Sequence, residues 1–140
     1  MNCNALFLVF AGLALGSSAA AQGFNIDVGS TYGTPAASFG AGAGQAGVWN
    51  SVAGTQGTYP LVDLAGAATG VTITCVGAGS YDFSSNNAGT FGDDEMLMDD
   101  ASDPTSAAAT WTLNGLAAGN YVLYTYAWAP DNAGYFSLVS

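Results

Sequence analysis

Asn114–Ser140 reads NGLAAGNYVLYTYAWAPDNAGYFSLVS. Within it, Tyr121–Ala129 is rich in aromatic and β-branched residues, the types that fit a pleated surface. Alternation places Tyr121, Leu123, Thr125 and Ala127 on one face and Val122, Tyr124, Tyr126 and Trp128 on the other. Neither face carries a charge, so the stretch predicts a central strand, covered on both sides or facing a ligand on one. Pro130 ends it, because proline cannot donate to the ladder. Asp131-Asn132 with Gly134 supplies the turn that follows. Upstream, Leu116-Ala117-Ala118-Gly119-Asn120-Tyr121 has the spacing of a tyrosine corner, in which the hydroxyl bonds back to the backbone. An ordinary turn before an aromatic strand residue fits the same spacing.

Working outward, further short strands are predicted around this stretch. Phe24-Asn25-Ile26-Asp27-Val28 alternates apolar and polar and closes on Gly29. A short strand surrounds Trp49, and another runs over Tyr59–Leu64, where Pro60 indicates an edge or a strand start. Val71–Val76 is the second clear strand, and Thr110–Leu113 leads through Asn114-Gly115 into Tyr121–Ala129. Ser30–Gly47 and Gly77–Gly92 read as loops, and Asp94–Met98 as a short helical turn. Short strands between glycine-rich turns predict an all-β fold, a β-sandwich of jelly-roll type. The last apparent strand stops at Ser140, so residues 22–140 are read as a sandwich that is incomplete at its C-terminal end. An uncovered edge there would pair with another chain.

The N-terminal residues 1–21 read as a signal peptide, which implies secretion to the cell surface or beyond. Ala5–Leu15 is the apolar run, and Ala19-Ala20-Ala21 fits a cleavage site before Gln22. The departure is an n-region without Lys or Arg. A membrane anchor is the alternative, but the apolar run falls short of the ~20 residues a spanning helix needs. Removal of the signal removes Cys3 and leaves Cys75 alone, on the same strand face as Val71 and Ile73. It reads as a buried small hydrophobe.

Charge excludes more than it selects. Lys, Arg and His are absent, against ten Asp and Glu residues, for a net charge of −10. Nucleic acid and anionic membrane surfaces are therefore poor partners, because nothing displaces their counterions. Catalytic arrangements that need His are excluded, and no carboxylate pair can be assigned the separation that glycoside hydrolysis demands. A non-catalytic role is expected. Gly42-Ala43-Gly44-Gln45-Ala46-Gly47 matches G-x-G-x-x-G, but no apolar strand feeds it and no helix follows, so a flexible loop is expected rather than a dinucleotide site.

Two sets of residues can carry binding. Asp93, Asp94, Glu95, Asp99 and Asp100, with Asp103 nearby, offer the hard oxygens that suit Ca²⁺. The spacing departs from the EF-hand loop, and a solvated acidic loop is the competing reading. Asp27 and Asp82 are further carboxylates that the sequence alone does not bring to this segment. The second set is Trp128 with Asp131 and Asn132. Flat rings stack on the apolar faces of sugars while amides and carboxylates take the hydroxyls, so these three are the candidate carbohydrate-binding residues. Most other aromatics, Tyr124 and Tyr126 included, are expected in the core.

The run L-x-x-L-x-x-G-x-Y-x-x-x-x-Y-x-x-x-P-D from Leu113 to Asp131 resembles the late strands of galactose-binding-like, jelly-roll carbohydrate-binding modules. Phe24-Asn25-Ile26-Asp27-Val28-Gly29 resembles the first strand of malectin-like members. The segments FNIDVG, GQAGVWN and YTYAWAPD are also similar to those of secreted bacterial proteins of planctomycete type. The resemblance implies a β-sandwich, frequent Ca²⁺ sites and ligand loops at one end. It leaves three roles open: glycan binding, a structural surface or matrix module, and part of a larger extracellular enzyme.

Overall fold

The computed structural model describes residues 22–29, 31–84, 87–104 and 108–126. The expected signal peptide, Cys3, Trp128, Asp131 and Asn132 lie outside the described residues.

Among the described residues the chain is β-rich with one short α-helix. Strands β1 (Asn25–Val28), β2 (Trp49–Val52), β3 (Gly57–Val62), β4 (Ala68–Val76) and β5 (Ala78–Ser84) precede helix α1 (Asp93–Met98). Strands β6 (Asp100–Pro104) and β7 (Thr110–Asn114) follow it. Three small sheets result: β1 pairs with β2 in parallel, β5 with β6 antiparallel, and the third sheet has the order β3-β4-β7.

The centre of the three-stranded sheet is β4, the longest strand, and not Tyr121–Ala129. Val71, Ile73 and Cys75 alternate along it and are all buried, as the pattern predicts. Both edges of β4 are taken, by β3 on one side and β7 on the other. Residues 121–126 therefore find no central place beside it. They form no strand and are exposed throughout, from 38% at Tyr126 to 80% at Val122. The composition of the stretch suits a covered face, but nothing among the described residues covers it.

β3 is an outer strand, in keeping with Pro60, and its pairing with β4 slips between Pro60 and Val62. Two further elements depart from expectation. Gly77–Gly92, read as loop, contains β5, and the acidic stretch after α1 contains β6. Each supplies the ladder partner that the other needs.

The core gathers Val52, Leu61, Val71 and Ile73, with Ile26, Val28, Tyr59, Trp111 and Leu113 packed against it. Tyr59 and Trp111 stack with ring centroids 6.4 Å apart. Trp49 is buried against Phe39 and donates its indole N–H to the Phe39 carbonyl at 3.0 Å. These aromatics act as packing groups, the common fate of strand aromatics.

Candidate functional site

β1 is covered on both faces. Ile26 and Val28 turn toward the core, whereas Asn25 and Asp27, on the opposite face, are buried too. A strand alternating apolar and polar residues normally leaves its polar face in water. Here that face is roofed by the loop before β2 and by the start of β6.

The polar groups under this roof divide into two kinds. Asn25 is fully engaged: its amide donates to the Gln45 and Gly47 carbonyls, and its oxygen accepts from the Gln45 side chain at 3.1 Å. Asn50 donates to the carbonyls of Asn25 and Val62 and accepts from the Val62 N–H at 2.7 Å. Two buried amides thus tie β1, β2 and β3 together and leave no polar atom stranded.

Asp27 is the other kind. It is 0% exposed, and neither of its carboxylate oxygens has a hydrogen-bond partner. Its neighbour is a second carboxylate, Asp100, which is 4% exposed and accepts from the Tyr32 N–H at 3.2 Å. Gly29 fixes the juxtaposition. It follows Asp27 on the same face, has a φ of 130°, and carries the Asp100 carboxyl where a Cβ would otherwise sit. Burial above all, with the charge of Asp100 second, pushes the Asp27 carboxyl up from 3.8 to about 8. Both causes disfavour the ionised form.

The five residues of the predicted cation set part company in the structure. Asp94 is exposed at the start of α1, and Glu95 is half-buried beside it. Asp93 accepts from the Ala36 N–H at 2.7 Å, which joins the helix to the long loop after β1. Asp99 is buried with both oxygens occupied, one by the Thr90 hydroxyl and the other by the Asn87 N–H, each at 2.6 Å. It therefore pins residues 87–90. Only Asp100 turns toward Asp27. Among the described residues no three Asp, Glu or Cys side chains form a group that could hold a metal ion. A wholly solvated acidic loop is also ruled out, since Asp99 and Asp100 are buried.

The second surface of interest is the exposed segment 121–126. The Tyr121 hydroxyl donates to the Ala117 carbonyl at 2.8 Å, the bond expected of the tyrosine corner, although no strand follows it. The Tyr126 hydroxyl accepts from the Ala43 N–H at 2.9 Å, and its ring lies against Gly42. The segment is therefore tied down at both ends. Between these ties Tyr124 is 57% exposed. Residues 41–43 form a single 3-10 turn with no helix after it, which agrees with rejecting the dinucleotide motif.

Cys75 is buried, and burial raises its pKa, with the Ala78 backbone and the Ser102 hydroxyl pulling the other way. Its thiol behaves as a packing group, since no cation stabilises a thiolate. No helix among the described residues is long and apolar enough to cross a membrane. Compared with family models, with characterised proteins and with solved structures, the chain matches none.

Proposed function

We propose that this is a secreted, non-catalytic β-sandwich module that binds polysaccharide through aromatic rings on the segment beginning at Tyr121. What carries the reading is the exposure of Tyr121, Tyr124 and Tyr126 on a segment tethered at each end by its own hydroxyls. Buried tyrosines would be core. Exposed and tethered ones form a surface onto which a pyranose face can stack at little ordering cost. Trp128, Asp131 and Asn132 follow directly in sequence and complete the set of rings and hydroxyl partners. The absence of any Lys, Arg or His directs the surface toward neutral glycans and away from anionic ones.

Replacing Tyr124 and Trp128 together with Ala is expected to lower retention on immobilised neutral polysaccharide by at least about fivefold, from a stacking loss of about 1–3 kcal/mol. The far-UV spectrum should not change, since a surface contact with glycan is not part of the fold. Undiminished retention would contradict the proposal.

Val122 and Leu123 favour a second reading. They are 80% and 62% exposed in the same segment, and a sugar platform has no need of them. An apolar, uncharged, unpaired segment is suited to adding a strand to another chain. In that case the chain is a structural surface or matrix module. Sedimentation of the full chain separates the two: a monomer that binds glycan supports the first, and concentration-dependent assembly without glycan binding supports the second.

A further inference from the structure

The buried polar face of β1 calls for a separate explanation. Native proteins satisfy buried polar groups almost without exception, and the neighbouring Asn25 and Asn50 obey that rule in full. Asp27 does not obey it. A carboxylate taken out of water needs a hydrogen-bond donor, a counter-charge or a metal. This chain has no Lys, Arg or His, so no side chain anywhere in it can supply the positive charge. The group that faces Asp27 is another carboxylate, held over Gly29. Once that carboxyl gives up its proton, the compensating charge must be imported.

We infer that Asp27 and Asp100 form the anionic half of a buried site for a hard divalent cation, Ca²⁺ in the first instance. Two carboxylates match the charge of one such ion, and oxygen is its preferred ligand. Ca²⁺ accepts six to eight oxygens in flexible geometry, so main-chain carbonyls and water complete a shell that begins with two carboxylates. The site differs from the acidic run that spans α1 and the start of β6. Of that run it takes Asp100 alone, and it adds a residue from the first strand. A cation here would cross-link β1 to β6, two elements with no shared ladder. The inference does not depend on glycan binding, and neither result bears on the other.

The test is the thermal unfolding of the full chain in Ca²⁺ and in EDTA, in the wild type and in D27N, D100N and D94N. A ligand that binds only the native state raises its stability by mass action. The wild type and D94N are expected to melt higher in Ca²⁺. In D27N and D100N the apparent Ca²⁺ affinity should fall by at least about tenfold, as for loss of a ligand or its support. Asn keeps the shape of Asp and removes its charge, so D27N is expected to fold without the metal. A wild type unmoved by Ca²⁺, or a D27N chain that keeps the full response, would overturn the inference. Equilibrium dialysis of the wild type is independent of how the variants fold. It should find about one tightly held Ca²⁺ per chain, and none would be a refutation.

Discussion

In EDTA the melting temperature of the purified chain falls as the pH is raised from about 5 to about 8, where the contribution of one buried carboxyl is complete. The cause is Asp27. Its carboxyl sits at about 8 in the folded chain, against 3.8 as its ordinary value. Between those two values the folded state holds a proton that the unfolded state has released. Raising the pH therefore pulls the equilibrium toward the unfolded state. One such proton is worth about 1.4 kcal/mol per pH unit, so three units cost on the order of 4 kcal/mol. That is a large share of the ~5–15 kcal/mol by which a domain is usually stable.

The window is set by the raised value of this group. Asp100 is the titratable group that faces Asp27. The strand alongside, β2, contributes Trp49, Asn50, Ser51 and Val52, none of which titrates there. The D27N chain should lose the slope and exceed the wild type in stability at about pH 8. Calorimetric melts of both chains at several pH values check this, and a slope equal in the two chains would rule Asp27 out as its source.

The second large effect separates the core from the segment that resembles a core. Leu61→Ala is expected to cost about 3 kcal/mol, and Leu123→Ala less than about 0.5 kcal/mol. Leu61 is 1% exposed and packs with Val52, Val71 and Ile73. Removing its side chain opens a cavity among packed neighbours that collapses only in part. Leu123 is 62% exposed and has little apolar contact to lose. Urea titrations of both variants measure the difference. Equal losses would return Tyr121–Ala129 to the place in the core that its composition suggests.

That contrast shows what could be read in advance. Val71-Thr72-Ile73-Thr74-Cys75-Val76 alternates cleanly, and the burial of Val71, Ile73 and Cys75 follows it. Pro60 marked an outer strand, and β3 is one. Tyr121–Ala129 carries the stronger local signal, yet the local signal says only that a segment suits a covered sheet. Whether a partner exists is decided by which edges of β4 remain open, and both are filled. β5 and β6 were missed for the converse reason. Ala78–Ser84 and Asp100–Pro104 are rich in Gly, Asp, Ser and Pro, which strands disfavour. They become strands because each completes the other's ladder.

The candidate site was legible only in pieces. The acidic run drew attention to Asp100, and the alternation in β1 placed Asp27 opposite Ile26 and Val28. The burial of that polar face could not be read from β1, because the cover comes from residues far along the chain. One signal did point to it: in a chain with ten acids and no bases, a buried carboxyl must either keep its proton or face an imported charge.

The most direct test is a carbon-13 NMR titration of the Asp27 side-chain carboxyl in EDTA, assigned by its loss in D27N. A midpoint near 8 is the expected result. It would mean that the carboxyl is buried against Asp100 without a donor, as the β1–β6 arrangement requires. A midpoint near the ordinary 3.8 would contradict it, placing Asp27 in water and removing the reason to look for a cation there.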